Sequence, residues 1–400
     1  MSGSPSFALR EPSKFLNHGA FGAPLSAALS EAQRWRERCE SQPLAFMDRE
    51  LLPAMVTAVQ VLAQHYAIAD ATRLVPTANA TVALNAALRS VATSERDLVV
   101  LVRPGYASNL RIAEATGARV VPIAISNATR RLGADAVVAA FAEAWPRDAV
   151  AQCRGRVVVL LEHISSHDAL RMPLEQLVQC IRRDLMPAPE QLVVVVDGAH
   201  APGTVERLPL DDDSGVLYAG NLHKWFLAPR GAGFLRVPSL DVAAALGVHA
   251  PIASHGRNAG LLSEFVWDGN RDYSPWLTVP LVCDFWHAFG GERRAMAHAA
   301  RVADAVESEL CRRWSVPAYG GLNGGVPMRL IQVPARLAQA STSDDALALQ
   351  NRLHARGYEV PIKSIDGLLY MRASFALYNS VADYVGEFRG VLESEASAQR

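Results

Sequence analysis

Short apolar runs alternate with segments of helical periodicity from about residue 70 to residue 240. The runs are rich in Val and Leu, and they predict strands at 98–102, 119–123, 156–161, 192–196, 216–220 and 233–237. Because they are apolar almost throughout, both faces of each strand are expected to be covered. The pattern therefore predicts an α/β fold, in which a mostly parallel central sheet carries helices on both faces.

Helical periodicity fills the segments between and around these strands. Within the strand region it predicts helices at 80–91, 108–116, 134–144 and 173–185, and Pro173 suits the first helical position. Amphipathic helices are predicted earlier, at 24–38 and 53–66, with a connection at 40–49. After an irregular segment at 241–274, helices alternate with short strands, at 292–314, 328–333, 343–356 and 368–373. We predict an N-terminal segment (1–20), a large domain (21–270) and a smaller C-terminal α+β domain (271–400).

The composition is that of an ordinary globular protein, with 50% hydrophobic residues among 400 and a formal net charge of -1. This balance excludes a strongly basic surface for nucleic acid or an anionic membrane. The five cysteines are scattered without a C-x-x-C pair, so neither a metal site nor a disulfide framework is expected, and a cytoplasmic location fits best. The sequence shows no signal peptide and no apolar stretch of the roughly 20 residues that a membrane span needs.

Polar side chains directly follow two of the predicted strands. Asp197 and His200 come after the run 192–196, and Asn221, His223 and Lys224 come after the run 216–220. Ligands of parallel α/β sheets bind at the carboxyl ends of strands, so these residues are the first candidates for a site. Taken singly, Asp197 would be a helix cap and Lys224 an exposed loop lysine.

Lys224 stands out because the chain has few lysines, chiefly Lys14, Lys224 and Lys363. The bulky run from Trp225 onward would desolvate its amine in part, which favours the neutral nucleophile that forms a Schiff base. Asp197 would keep a pyridine nitrogen protonated, since an ion pair about 4 Å apart contributes about 4 kcal/mol at an effective dielectric near 20, before the cost of desolvation.

Small polar residues at 76–81 open the predicted helix 80–91. Free N–H groups and the helix dipole bind phosphate at such a position, and the hydroxyl of Thr81 would add a bond, while Asn79 as an ordinary N-cap is the plainer alternative. An amine, an anion and a phosphate cradle together match the needs of pyridoxal 5'-phosphate (PLP).

Seven ordered motifs extend this agreement over nearly the whole chain. They are Phe15-Leu16-Asn17-His18-Gly19-Ala20-Phe21-Gly22, Gln42-Pro43-Leu44, Asn79-Ala80-Thr81, Asp197-Gly198-Ala199-His200, Asn221-Leu222-His223-Lys224-Trp225, Gly269-Asn270-Arg271-Asp272, and Arg372 followed by Tyr378-Asn379. With these motifs the chain resembles the class V, fold-type I PLP-dependent enzymes, specifically the isopenicillin N epimerase-like branch. The resemblance implies the fold of a PLP-dependent transferase and a homodimer with shared active sites.

The resemblance also implies roles for individual residues. Lys224 would be the Schiff-base lysine, Asp197 the partner of the pyridine nitrogen, and His200 a neighbour of the phenolic oxygen of the cofactor. Arg372 would grip the α-carboxylate of the substrate with its planar fork. The remaining cofactor contacts would come from Asn79, Ala80, Thr81, Tyr106 packed on the ring, Asn221 and His223, and a further substrate contact from Asn17.

The chain departs from the family pattern at three places. Asn270 stands where the family usually has Thr, at a position that reaches the phosphate of the neighbouring subunit. Ser165-Ser166-His167-Asp168 replaces Thr-Ser-Pro-Thr, so His167 is either an acid or base for the substrate or a solvent-facing loop histidine. The loop Gly320-Gly321-Leu322-Asn323-Gly324-Gly325 has no cysteine, which disfavours the sulfur transfer of a cysteine desulfurase.

These observations predict an enzyme that acts at Cα of an amino acid, and we favour a lyase that eliminates a β-sulfur substituent from a cysteine conjugate. The alternatives are epimerisation at Cα, which needs a second acid or base such as His167 or Tyr106, and decarboxylation coupled to deamination, which would weaken the role of Arg372. A non-catalytic binding protein is disfavoured because Lys224 and Asp197 are intact.

Overall fold

A mixed set of strands and helices makes up the computed structural model, which describes residues 5–10, 14–208, 215–321, 325–335 and 341–397. In chain order the strands are β1 (Lys14–Phe15), β2 (Leu74–Thr77), β3 (Leu98–Arg103), β4 (Arg119–Ala124), β5 (Val157–Glu162), β6 (Leu192–Gly198), β7 (Val216–Asn221), β8 (Gly233–Arg236), β9 (Met328–Gln332), β10 (Tyr358–Glu359), β11 (Ile362–Ile365) and β12 (Leu368–Ser374).

The helices fall before, between and after these strands. In chain order they are α1 (His18–Phe21), α2 (Ser26–Ser41), α3 (Pro43–Ala45), α4 (Leu51–His65), α5 (Ala80–Val91), α6 (Ala107–Glu114), α7 (Asn127–Arg131), α8 (Ala134–Glu143), α9 (Arg147–Ala151), α10 (Leu174–Cys180), α11 (Leu240–Leu246), α12 (Leu261–Val266), α13 (Ser274–Leu277), α14 (Val279–Phe289), α15 (Gly291–Trp314), α16 (Ser343–Ala355), α17 (Ala382–Val385) and α18 (Glu387–Ser397). None of these described helices has the length and apolar composition of a membrane span.

Seven strands form the central sheet, in the spatial order β2-β8-β7-β6-β5-β3-β4. The five strands from β7 to β4 run parallel to one another, β8 runs antiparallel to both of its neighbours, and β2 therefore runs in the same direction as the parallel set. This confirms the prediction of a mostly parallel sheet. The carboxyl ends of β2, β5, β6 and β7 consequently lie along one edge, where the candidate site is found.

Side chains that alternate along the central strands fill two separate apolar layers. In β6, Val194 and Val196 belong to one buried cluster and Val193 and Val195 to the other. The first layer packs on α4, through residues such as Leu62, and the second packs on α5. Helices thus cover both faces, which is why these strands are apolar throughout.

A three-stranded antiparallel sheet, in the order β11-β12-β9, forms the centre of a smaller unit. Its core includes residues of α15, α16 and α18, and also Leu16 from the N-terminal part of the chain. Trp276 and Trp286, which come after residue 270, lie in the core of the large sheet. The domain limits given above stay a prediction.

Local differences from the predicted elements have simple causes. Strand β2 was not predicted, because Pro76 lies within it; as an edge strand it tolerates a residue that donates no hydrogen bond. Pro173 precedes α10 instead of opening it, since its ψ of 68° is not helical. The expected connection at 40–49 is mostly helical, through α3 and a π-helical turn at Phe46–Glu50.

Candidate active site

Lys224 lies in the turn that follows β7, at the carboxyl edge of the sheet. Its Nζ is 3.2 Å from Nε2 of His200. Burial of the amine lowers the pKa of Lys224 to about 8, and the nearby charge of Asp197 opposes that shift. The position therefore favours a neutral amine far more than an exposed surface would.

The hydrogen bonds of His200 indicate which of its ring nitrogens carries the proton. Nε1 of Trp225 donates to Nδ1 of His200 over 3.4 Å. Burial, followed by the charge of Lys224, lowers the pKa of His200 well below its usual value, so the ring is neutral and its proton is assigned to Nε2. That N–H faces the amine of Lys224 and donates to it when the amine is neutral.

His18 fixes the backbone of the same turn from the N-terminal part of the chain. It is fully buried, with Nε2 3.0 Å from the carbonyl oxygen of Lys224 and Nδ1 2.9 Å from the hydroxyl of Tyr378. A carbonyl only accepts, so Nε2 donates and Nδ1 accepts from Tyr378. Burial lowers the pKa of His18 to about 4, which keeps this arrangement neutral. The sequence placed His18 within a motif but gave it no role.

Asp197 ends β6 and is only 5% exposed. Its Oδ2 accepts from Nδ2 of Asn109 over 2.9 Å, and its Oδ1 accepts from the N–H of Ala199 over 3.0 Å. These bonds hold the carboxylate in one orientation at the edge of the sheet. Asn109, which follows the end of β3 by six positions, had not been singled out in the sequence, although its place just beyond a predicted strand was an available signal.

Glu162 lies beside Asp197 in the register of β5 and β6. One carboxylate oxygen accepts from the N–H of Tyr106, while Oε2 is buried without a hydrogen-bond partner. Burial, followed by the charge of Asp197, raises the pKa of Glu162 to about 7. Glu162 thus anchors the turn that carries Tyr106, whose side chain is 45% exposed at this edge.

The predicted phosphate cradle is assembled from the turns after β2 and β7. Asn79 caps α5 by accepting from the N–H of Val82 over 3.0 Å, as in the plainer alternative. The N–H of Ala80, expected to be free, donates to Oδ1 of Asn221 over 2.7 Å. Thr81 is exposed in the first turn of α5, and Nδ1 of His223 is buried without a partner. The cradle thus keeps a helix N-terminus and an unsatisfied ring nitrogen for an anion.

The residues at this edge fit PLP. The orphaned Nδ1 of His223 and the first turn of α5 would hold the phosphate, with Asn221 bridging them. Asp197 would face the ring nitrogen, and the amine of Lys224 would bind the aldehyde. A buried amine with a lowered pKa, next to a fixed carboxylate, is the donor set that this cofactor needs.

Arg372, in β12, is a buried guanidinium whose described contacts include no carboxylate. Nη1 donates to the carbonyl oxygen of Ser166 over 2.7 Å, Nη2 donates to Oδ1 of Asn17 over 3.3 Å, and Nε has no partner. Burial lowers the pKa of Arg372 to about 10. A buried guanidinium whose described contacts include no carboxylate is suited to bind the carboxylate of a substrate. The structure thus brings Asn17 and Arg372 together.

His167 and Asp168 interact through charge, since Asp168 opposes the fall of the His167 pKa, but the Asp168 oxygens form no hydrogen bond with His167. Asp168 lies 3.0 Å from Nη1 of Arg130 in a fully buried ion pair. Nε2 of His167 is buried without a partner, and burial lowers the pKa of its ring to about 4. His167 is therefore partly buried instead of facing solvent as a loop residue.

Two predicted features are not joined to this cluster. Asn270 is exposed, and none of the hydrogen bonds described above reaches it, so its contact with a neighbouring subunit stays a prediction. Of the loop without cysteine, Leu322, Asn323 and Gly324 lie outside the described residues.

Comparison with known proteins shows the family and the fold of the chain. Residues 17–256 match the family model of aminotransferase class I and II. The L-cysteine desulfhydrase of Arabidopsis thaliana is 27% identical, with 92% of this chain and 85% of the relative covered. The isopenicillin N epimerase of Amycolatopsis lactamdurans is 29% identical, with 78% of this chain and 79% of the relative covered.

Solved structures show the same fold at low identity. The cystine C-S lyase C-DES, in complex with its reaction product cysteine persulfide, aligns with a TM-score of 0.76 at 17% identity, covering 96% of this chain and 98% of its own. A mutant of C-DES, with glycine covalently linked to its PLP cofactor, aligns with a TM-score of 0.72, also at 17% identity, covering 96% and 97% of the two chains.

Proposed function

We propose, from the premise that this chain belongs to the aminotransferase class I and II family and is a fold-type I PLP-dependent enzyme of the epimerase-related branch, that it is a C–S lyase. In the proposed reaction a sulfur substituent is eliminated from Cβ of cysteine or an S-substituted cysteine. The observation that carries the proposal is the buried Lys224 amine, near enough to Arg372 for the guanidinium charge to lower its pKa, while the described contacts of Arg372 include no carboxylate. The names of relatives support the reaction type, since four of them are named as L-cysteine desulfhydrases.

When bound, PLP supplies an aldehyde that bonds an amine and a protonated ring that accepts the electron pair released at Cα. Side chains of the protein would position the cofactor and the substrate and would receive the Cα proton. Asp197 would keep the ring nitrogen protonated, and Arg372 would fix the α-carboxylate and thereby select the Cα bond that is presented. Nζ of Lys224 would then receive the Cα proton, and a double bond would form between Cα and Cβ as the C–S bond breaks with its electron pair leaving on sulfur. The sulfur would take up a proton and leave as a thiol, and water would hydrolyse the unsaturated amino acid to pyruvate and ammonia.

The described cysteines support elimination over persulfide transfer. Burial raises the pKa of Cys283 to about 12 and that of Cys311 to about 11, so neither is an activated thiolate. No hydrogen bond of the site described above involves a cysteine. A thiol acceptor is not required when the sulfur leaves as a free product.

Epimerisation is the second candidate, because an isopenicillin N epimerase is among the relatives and Nε2 of His167 is a free buried nitrogen. The lowered pKa of His167 keeps its ring neutral at neutral pH, so the ring would accept a proton more readily than it would donate one. Decarboxylation fits less well. The described contacts of Arg372 include no carboxylate, so its guanidinium would hold the α-carboxylate of the substrate in place instead of releasing it.

Assays on the purified holoenzyme distinguish these reactions. With S-substituted L-cysteines we expect equimolar pyruvate and thiol, and no carbon dioxide. Recovered substrate with deuterium at Cα and mixed chirality, without pyruvate, would establish the epimerase instead, and release of carbon dioxide would establish the decarboxylase.

The proposal includes a homodimer with shared active sites and a cytoplasmic location. Phe21 and Leu44, both from the N-terminal motifs, are 63% and 65% exposed in the single chain, which supports burial against a partner. The five cysteines are free, in keeping with a reducing compartment.

A further inference from the structure

Lys363 places a second cation beside Arg372. It lies in β11, antiparallel to β12, and opposite Tyr370. Its Nζ donates to the carbonyl oxygen of Ser166 over 2.7 Å and to that of His167 over 3.2 Å. Because Arg372 donates to the same oxygen of Ser166 over 2.7 Å, the two cationic nitrogens are separated by at most twice that distance.

The acidic groups near this pair are paired elsewhere or have a raised pKa, although the charges of Asp168 and Glu162 still favour the charged form of Lys363. Asp168, the nearest acidic side chain in the 165–168 turn, is engaged by Arg130 in a buried ion pair. Asp197 is held by Asn109 at the ring-nitrogen position, and burial raises the pKa of Glu162 to about 7. The hydrogen bonds that the 165–168 turn accepts from Lys363 and Arg372 go to carbonyl oxygens, which carry no full negative charge.

A single α-carboxylate bound by Arg372 would leave the ammonium group of Lys363 able to bind a second anion. The fork of Arg372 can hold an α-carboxylate in a bidentate way, and its Nε is still unpaired. The ammonium group of Lys363 has three donors, of which two are used by carbonyls, so one is left to bind a ligand. Burial, followed by the charge of Arg372, lowers the pKa of Lys363 to about 7, and a bound anion would restore its full charge.

We propose that Lys363 binds a second anionic group of the substrate, carried on the sulfur substituent, so that the substrate class is a cysteine S-conjugate with an acidic side arm. This assignment rests on the proposed C–S lyase activity and deepens it. Arg372 would take the α-carboxylate, and Lys363 would select among leaving groups.

Two probes that differ in charge but hardly in shape test this selection. S-carboxymethyl-L-cysteine carries the second carboxylate, and S-carbamoylmethyl-L-cysteine carries an amide in its place. For the native holoenzyme we expect kcat/KM, from pyruvate release, to be about tenfold to a hundredfold higher for the anionic probe, as for a hydrogen bond to a charged group. In Lys363→Met this ratio should fall to near unity, and in Lys363→Arg it should be largely kept.

Lys14→Met is the matched control. The side chain of Lys14 is 45% exposed and paired with Asp383, and neither residue is assigned to the site, so replacing Lys14 should remove a lysine without changing the ratio. Thermal unfolding of each variant reports whether the turn at 165–168 still folds. A ratio near unity in the native enzyme, or an unchanged ratio in Lys363→Met, would overturn the assignment.

Calorimetry on the holoenzyme tests binding without turnover. Adipate and its monoamide have no amine to react, and they differ by one charge. We expect the native protein and Lys14→Met to bind adipate more tightly, and Lys363→Met to lose that difference; equal loss of affinity for both ligands would mean that Lys363 serves the α-carboxylate or the fold. Absence of pyruvate from both cysteine probes would contradict the lyase activity while this binding preference could still stand, so the two failures are distinguishable.

Discussion

At the scale of single residues, burial lowers the pKa of the Lys224 amine to about 8, so the neutral nucleophile forms more readily than on an exposed lysine. The bond from Trp225 to Nδ1 of His200 places the ring proton on Nε2, facing that amine. Nε2 of His18 donates to the carbonyl oxygen of Lys224, while His200 contacts its side-chain amine. The backbone and the side chain of Lys224 are therefore held by two different histidines. Both rings have lowered pKa values because they are buried, and neither competes as a cation with the amine.

The rate at which PLP attaches to the apoprotein should follow the pKa of Lys224. The lowered pKa of about 8 means that the neutral nucleophile predominates above that pH, well below the pH at which an ordinary lysine loses its proton. The rate of rise of the visible absorbance should increase about tenfold per pH unit below 8 and level off above it. A rate that keeps climbing to pH 10 would show that the amine is not desolvated.

Asp197→Asn should fold, retain PLP and react slowly. Asn keeps the acceptor for the N–H of Ala199, and Asn109 can turn its unpaired Oδ1 toward the new amide. Loss of an ion pair of about 4 kcal/mol to the ring nitrogen should lower kcat about a thousandfold. Steady-state rates at saturating PLP measure this, and native rates would remove Asp197 from the reaction.

At the scale of elements, the first motif (residues 15–22) is packed directly onto the turn that carries Lys224. Gly22 has a φ of 69° and a ψ of 168°, a region open essentially to glycine alone, and a Cβ there would collide with the carbonyl of His223. The closeness of these two backbones explains why a glycine closes the first motif.

Gly22→Ala should therefore cost more stability than a glycine replacement that adds strain alone. Gly117 is the control, since its φ is 80° but no heavy atom lies within 4 Å of a Cβ there. We expect Gly117→Ala to cost about 1 kcal/mol and Gly22→Ala about 1–3 kcal/mol more, measured by denaturant unfolding, with weaker PLP binding in the second variant only. Equal losses of stability in the two variants would mean that the backbone around Gly22 shifts without cost to admit the Cβ.

The elements that the sequence predicts best are those whose signal is local. The Val-rich β6 and the helix α5, with its Asn79 cap, follow from consecutive residues, and α5 has the expected bounds. The bond between His18 and Lys224 joins positions 206 residues apart, and that between Asn109 and Asp197 joins positions 88 apart. Such contacts arise from the order of the strands in the sheet, which no local pattern encodes. Lys363 was visible only as a scarce residue, and its neighbours appear once β11 and β12 pair.

At the scale of the whole molecule, the account predicts a homodimer that completes the site. Light scattering should give a mass of twice the 43.2 kDa of one chain. If Asn270 reaches the phosphate in the other subunit, Asn270→Asp places a like charge there and should weaken PLP binding about tenfold to a hundredfold. Asn258→Asp, at another exposed asparagine of the 241–274 segment, is the control and should bind PLP normally. A monomeric mass, or equal affinity in both variants, would contradict the shared site.

The central claim is that the amine of Lys224 holds the PLP aldehyde. Reduction of the holoenzyme with borohydride, followed by proteolysis and peptide mapping, tests it most directly, because Lys14, Lys224 and Lys363 are the only lysines in the sequence and each falls in a different peptide. The account predicts one pyridoxyl label per chain, on Lys224. A label on Lys363 or Lys14, or no label at all, would contradict it.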